Sequence, residues 1–293
     1  MSKIQIVTDS GAQFSNPAFL SQHAVTIVPN RIRIGDTLYV EGVDLSAEEA
    51  LRLLARDIAA APAVIAPSEA DFAAVYDSLA ADADAIISIH PSRSLFSSWH
   101  SASRAARQAA GHCEVVVIDS QSLAAGQGML TQIAAEAVAQ QVDFEEVVRL
   151  VRGAVERVYT VLYVETIGHL LQNRLISGSH ALLGTLLGIK PFLTVENGCL
   201  APTEKVRTRA QAVERLVEFV TEFTDIDDVI ILQNKPYLTD QTRVVQERLA
   251  LEFPGRTFPY AIYNASLAAL VGPDALGIFI LEKAASLTGG NDL

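Results

Sequence analysis

The stretch IQIVTDS, at residues 4–10, joins a short β-branched run to a polar turn. Two later stretches have the same form: AIISIHPS at residues 85–92 and VVVIDS at residues 115–120. Amphipathic helical segments separate the three, and this alternation predicts βαβ units around a mostly parallel sheet flanked by helices. Because ligands of open α/β sheets bind beyond the carboxyl ends of the strands, the three polar turns mark one candidate edge.

The pattern of predicted helices and strands changes near Tyr159, although no Gly/Ser-rich or Pro-rich linker marks the change. We therefore expect an N-terminal α/β domain at residues 1–157 and a C-terminal α/β domain at residues 158–293. In the second domain the pattern predicts, in order, a strand at 160–164, helices at 167–171 and 179–187, an extended segment at 189–195 with a turn at 196–198, a helix at 210–223, a strand at 229–232, a helix at 239–251, and strands at 261–268 and 276–281.

Three helix starts are signalled by a capping residue that stands three positions before an acid. The pairs are Ser46 with Glu49, Ser68 with Asp71, and Asp143 with Glu146. We interpret these acids as structural residues rather than catalytic carboxylates.

Composition excludes several classes of protein. Acidic residues outnumber basic ones by 34 to 22, and the net charge of −12 argues against nucleic-acid binding. Half of the residues are apolar, yet no apolar run approaches the ~18–20 residues of a membrane span, so no stable membrane insertion is expected. The first ten residues lack the features of a signal peptide, which predicts a cytoplasmic protein. Both cysteines are expected to be buried free thiols.

Few residues have the spacing of a catalytic or cofactor site. No glycine-rich phosphate loop is present and the six histidines are scattered, so neither a cofactor nor a metal is expected. Ser10, His90 and Asp119 all fall near the proposed sheet edge and offer the residue types of a serine hydrolase, but no G-x-S-x-G elbow accompanies them. Serine hydrolysis is kept as an alternative function and is ranked third, after the two that are described below.

A serine-rich loop at residues 92–99 enters a helix at the same edge. The backbone N–H groups and hydroxyls of a helix N-terminus can bind a carboxylate or phosphate. Alternatively, Ser97 or Ser98 simply caps the helix and binds nothing. The loop alone leaves both interpretations open.

An ordered series of motifs resembles the DegV family along nearly the whole chain. IVTDS at 6–10 and VIDS at 117–120 resemble the family's strand ends, and VET at 164–166 resembles the start of its next segment. LLGIKP at 186–191 is close to the family's Leu-Leu-Asn-Ile-Lys-Pro, and KVRT at 205–208 matches its Lys-Val-Arg-Thr turn.

This resemblance implies a two-domain α/β protein with a long apolar tunnel between its domains. A long-chain fatty acid or related lipid would lie in the tunnel as the bound ligand, with its carboxylate where the domains meet. A separate fatty-acid kinase would then phosphorylate the presented head group to an acyl phosphate. Arg174 and Arg207, which match family arginines, would bind that partner, and the chain itself would be a carrier rather than an enzyme.

The expected head-group site departs from the family pattern at three positions. Val64 stands in place of a threonine, Phe96 in place of the ligand-binding serine, and Leu270 in place of a histidine. Ile65 follows the first of these and is included in the predicted ligand-binding set.

Two explanations of these departures remain open. In the first, the lipid head group is held instead by Ser97, Ser98, backbone N–H groups or Arg174. Otherwise the chain is a divergent member that binds a different lipid, or a regulatory or interaction protein with a vestigial tunnel.

Overall fold

The computed structural model describes residues 3–16, 18–56, 61–108, 113–173 and 190–284. The helix expected at 179–187 lies outside these residues. The strands are β1 Ile4–Asp9, β2 Val25–Val28, β3 Arg31–Ile34, β4 Thr37–Val40, β5 Ala63–Ile65, β6 Ala85–His90, β7 Glu114–Asp119, β8 Val158–Val164, β9 Lys190–Glu196, β10 Cys199–Val206, β11 Ile226–Gln233, β12 Tyr260–Ile262 and β13 Ala275–Glu282. The helices are α1 Phe19–Gln22, α2 Ala47–Arg56, α3 Glu69–Ala80, α4 Ser98–Gln108, α5 Ala125–Ala139, α6 Phe144–Val155, α7 Gly168–Gln172, α8 Arg209–Thr221, α9 Asp240–Glu252 and α10 Ala265–Val271.

The first half of the chain forms a four-stranded parallel sheet in the order β2-β1-β6-β7. β1 pairs with β6 in the register Ile6 to Ile87, and β6 pairs with β7 in the register His90 to Asp119. The predicted parallel strands are thus confirmed as neighbours, and their carboxyl ends share one edge. A small sheet in the order β4-β3-β5 lies beside them.

The second half forms a six-stranded sheet in the order β10-β9-β8-β13-β11-β12. Its pairs are antiparallel except for β11 with β12. Asn197 and Gly198 join β9 to β10 and have φ angles of 50° and 78°. Since a type I′ hairpin turn needs positive φ at both central residues, the turn predicted at 196–198 is confirmed.

The strand expected at 261–268 is wrong over most of its length. β12 ends at Ile262, and Asn264 starts α10 by accepting a hydrogen bond from the Leu267 N–H at 2.9 Å. Every residue of α10 is buried, so this helix has no polar face that would reveal a helical period. A short apolar run of this kind does not distinguish a buried helix from a strand.

Two smaller expectations also need correction. The Ser68–Asp71 capping box is formed, but the Asp143 side chain makes no capping bond at the start of α6. Cys113 is buried as expected, whereas Cys199 is exposed, because it begins β10 immediately after the hairpin turn.

Helix α5 fills the space between the two large sheets and is buried along nearly its whole length. Ile6 and Ile87 of the parallel sheet belong to one apolar core with Leu130 of α5 and with Leu162 and Phe279 of the second sheet. β8 begins at residue 158, but the core is continuous across that point. The division into domains at 1–157 and 158–293 therefore stays a prediction.

Candidate functional site

Four buried polar side chains form a chain of hydrogen bonds at the carboxyl ends of β1 and β6. Tyr76 Oη donates to Ser88 Oγ at 2.8 Å, and Ser88 Oγ lies 2.7 Å from His90 Nε2. His90 Nδ1 lies 2.9 Å from Asp9 Oδ2, which fixes the imidazole tautomer with its proton on Nδ1. All four side chains are fully buried. Burial raises the pKa of Tyr76, so its phenol stays protonated and donates.

The side chains considered for a serine hydrolase are not brought together. Ser10 Oγ donates to Glu41 Oε2 at 2.6 Å, and the Asp119 carboxylate pairs with Arg93 at 3.3 Å. His90 instead contacts Ser88 and Asp9, which are the residue types of a catalytic triad. Because Ser88, His90 and Asp9 are completely buried, no substrate reaches the Ser88 hydroxyl.

Residues from both halves of the chain enclose a small cavity of about 10 Å³ beside this network. Its walls are Gly11, Asn30, Pro91, Phe96, Leu123, Ala124, Gln127, Asn264, Ser266 and Leu267. Pockets for small molecules usually measure roughly 300–1,000 Å³. The tunnel implied by the family resemblance is therefore not open at this cavity, and an acyl chain would enter only by displacing side chains.

Asn30 and Gln127 line the cavity with amide groups whose orientation is fixed. Asn30 Nδ2 donates to Ser266 Oγ at 3.0 Å and to Glu41 Oε2 at 3.3 Å. Gln127 Nε2 donates to Thr8 Oγ1 at 2.8 Å and also lies 3.3 Å from Asp9 Oδ1. Each nitrogen contacts acceptors, so exchanging the nitrogen and oxygen of either amide would oppose like groups. Asn30 Oδ1 and Gln127 Oε1 accept no hydrogen bond from the described residues.

Glu41, which accepts a hydrogen bond from Asn30, links the two halves of the chain. Its carboxylate accepts hydrogen bonds from the Ser266 N–H at 2.7 Å and from the hydroxyls of Ser266 and Ser10, both at 2.6 Å. Burial raises the pKa of Glu41 against the opposing effect of these donors. The β4 end and the start of α10 are thereby fixed to each other.

The three residues that depart from the family pattern lie in apolar surroundings. Val64, on β5, packs in a cluster with Ile32 and Ala265, and Leu270 is buried in the core between the sheets. Phe96 packs against that core and is the one of the three that lines the cavity.

The other predicted ligand-binding residues are spread out. Ile65 is exposed, Ser97 is exposed, and Ser98 is buried at the first position of α4. Arg174 lies outside the described residues. Arg207 is exposed, and its backbone N–H donates to Gln211 Oε1 at 3.0 Å. Among the predicted ligand-binding residues that the structure describes, only Phe96 lines the cavity.

A charged cluster lies near Arg207 at the edge of the second sheet. Glu165 accepts hydrogen bonds from Tyr163 at 2.9 Å, from Arg209 at 2.6 Å and from Lys190. Burial opposes ionisation, but the two cations outweigh it and lower the pKa of Glu165. Lys190 and Arg209 are thus paired within the protein, while Arg207 stays on the surface.

Sequence reasoning missed the polar residues that line the cavity. Gln127 is a polar residue among small and apolar neighbours in the run AGQGML, whereas Asn30 stands between Pro29 and Arg31 without such a contrast. That contrast is the one local signal of a buried polar position. Asn264 and Ser266 were hidden by the mistaken strand at 261–268.

The described residues hold neither a metal-binding cluster nor a membrane-spanning helix. Among the described residues no group of three or more His, Cys, Asp or Glu side chains is placed to hold a metal ion. No helix in the described part of the chain is long and apolar enough to cross a bilayer.

A parallel sheet, a second mixed sheet and a shared apolar core with a small polar cavity define an α/β protein with two large sheets and a candidate internal site at the junction of its halves. The chain belongs to the DegV family, since the family model described as "Uncharacterised protein, DegV family" matches residues 3–283.

Individual relatives agree with this assignment. A DegV domain-containing protein of Streptomyces coelicolor is 29% identical over 283 residues, which cover 96% of this chain and 99% of the relative. The structure described as "Fatty Acid Binding of a DegV family Protein from Thermus thermophilus" has a TM-score of 0.83 at 26% identity and covers 96% of this chain and 100% of that one. The Streptococcus pneumoniae fatty acid kinase B3 protein, loaded with linoleic acid, has a TM-score of 0.84 with the same coverage. At 19% identity, this last likeness is one of fold.

Proposed function

We propose that this protein binds a long-chain fatty acid or a related lipid between its two sheets and acts as a carrier rather than as an enzyme. The observation that supports it most is the similarity, over 96% of the chain, to the fatty-acid-binding protein of Thermus thermophilus. The apolar core between the sheets offers the surroundings that an acyl chain needs. Burial of methylene groups stabilises such a complex by about 0.8 kcal/mol each.

The proposal includes the presentation of the head group to a partner such as a fatty-acid kinase in the cytoplasm. Its support is the family resemblance together with the exposed Arg207, which no described carboxylate pairs. A cationic side chain of this kind suits an acidic partner surface. Arg174 is proposed for the same role from its sequence position alone.

Solvent extraction of the purified protein, followed by mass spectrometry, tests the carrier function. We expect a non-covalent acyl compound at close to one molecule per chain. Titration with a panel of polyene lipids covers the case in which the bound lipid is lost during purification. Absence of any bound or bindable acyl compound would remove the carrier function.

A second candidate is a regulatory protein with a vestigial tunnel. The observation in its favour is the cavity of about 10 Å³, together with the apolar replacements at Val64 and Phe96. The same lipid panel separates the two candidates, because a vestigial tunnel binds no lipid.

A further inference from the structure

Two residues that line the cavity carry buried oxygen atoms without a donor among the described residues. The atoms are Asn30 Oδ1 and Gln127 Oε1, on side chains that are 3% and 0% exposed. Their amide nitrogens are already occupied: Asn30 Nδ2 donates to Ser266 and Glu41, and Gln127 Nε2 donates to Thr8 and Asp9. Leaving such an acceptor unpaired in the interior costs free energy, so a donor from a ligand would bind there favourably.

The polar groups around the cavity disfavour an anion. The Asp9 carboxylate lies 3.3 Å from the Gln127 nitrogen, and the Glu41 carboxylate lies 3.3 Å from the Asn30 nitrogen. No lysine or arginine is among the residues that line the cavity in the described structure. A carboxylate placed here would therefore meet two acceptor oxygens and two acids one hydrogen bond further away, in surroundings of low dielectric.

Phe96 lies between the cavity and the surface. Its ring lines the cavity and is partly exposed, so it forms part of the boundary with solvent. Leu123 and Leu267 supply apolar walls next to the two oxygens. A lipid that displaces the Phe96 ring would place its polar end at the oxygens and its chain along apolar side chains.

We propose that this cavity is a head-group site that selects a lipid with an uncharged, hydrogen-bond-donating head, such as a hydroxyl, over a carboxylate. Asn30 and Gln127 are the selecting residues. The inference rests on the proposed function, because it names the class of lipid that the carrier binds.

A series of three ligands with one conjugated tetraene chain tests the selection through the fluorescence of the chain. One ligand ends in a hydroxyl, one in a methyl ester and one in a carboxylate, and the titrations are done at about pH 8, where the carboxylic acid is ionised. We expect the alcohol to bind about ten-fold more tightly than either of the others, which corresponds to ~1.4 kcal/mol.

Gln127→Met assigns the effect to one oxygen, since methionine keeps the length of the side chain and removes the acceptor. We expect the ratio of alcohol to ester affinity to fall to about three-fold or less, given that Asn30 remains. Gln132→Met is the matched control on the same helix, because Gln132 Oε1 already accepts from Ser15 and does not line the cavity. The wild-type ligand series remains decisive even where the Gln127 variant does not fold.

Each outcome has a separate meaning. Binding of none of the three ligands overturns the proposed function itself. Equal binding of all three, or tightest binding of the carboxylate, supports the carrier function and overturns the head-group selection. A preference for the alcohol that survives in folded Gln127→Met overturns the role of Gln127.

Discussion

Replacement of Ser88 by alanine tests whether the buried chain Tyr76–Ser88–His90–Asp9 is a structural feature. The Ser88 hydroxyl accepts from the Tyr76 phenol at 2.8 Å and contacts His90 Nε2 at 2.7 Å, in a fully buried position. Its removal leaves two buried polar groups without partners, at about 1–3 kcal/mol each. We therefore expect Ser88→Ala to lower the free energy of unfolding by about 2–4 kcal/mol in urea denaturation.

Tyr76→Phe serves as the matched control, because it removes the outer donor of the chain and leaves the contact between Ser88 and His90. We expect it to cost about 0.5–1.5 kcal/mol. The double variant Ser88→Ala with Tyr76→Phe leaves no phenol unpaired. Its loss in free energy of unfolding should therefore be smaller than the sum of the two single losses by about 1 kcal/mol. A loss below ~1 kcal/mol for Ser88→Ala, or strict additivity, would show that this hydrogen-bonded chain contributes little to stability. Loss of an enzymatic turnover in a stable Ser88→Ala protein would instead point to catalysis.

Three further predictions concern ligand affinity, pH and thiol reactivity. Of the two hydroxyls added by Val64→Thr with Phe96→Ser, the one at residue 96 lies at the cavity and is worth about 1.5–3 kcal/mol toward a charged partner, so after repacking losses a fluorescent fatty acid should bind about ten-fold more tightly. Equal or weaker binding by the folded double variant contradicts this. Hydrogen bonding from Arg31 lowers the pKa of Asp71 to about 2. The ionised Asp71 therefore stabilises the folded protein above the usual pKa of 3.8, and this contribution is lost as the pH falls toward 2. Because both side chains are about a third exposed, Asp71→Asn should cost about 1 kcal/mol or less at neutral pH and nothing below pH 2, as urea unfolding at both pH values would show. Cys199 is exposed and should react with a thiol reagent in the native protein within minutes. Equally fast reaction of both cysteines would contradict the burial of Cys113.

The fold was predictable wherever a local pattern decides the structure. The β-branched runs ending in TDS and HPS specify parallel strands, because burial on both faces requires continuous apolar residues. The Ser68–Asp71 capping box and the Asn197-Gly198 turn act within four residues, so they form as the sequence indicates. α10 was mistaken for a strand because its complete burial removes the periodicity on which such a prediction depends.

The candidate site was only partly predictable. The sequence alone determined the family resemblance, the shared sheet edge and the loss of the usual head-group residues at Val64 and Phe96. It did not indicate that Phe96 would meet Gln127, because the two lie on different elements that come together only when α5 packs between the sheets.

Which polar residues line the cavity depends on tertiary packing. The bond from Asn30 to Ser266 joins residues 236 positions apart, and that from Gln127 to Thr8 joins residues 119 apart. Helical periods, caps and turns act over a few residues and carry no information about such pairs. The packing of the two halves fixes the direction of both amides, and this direction leaves their oxygens without a donor among the described residues.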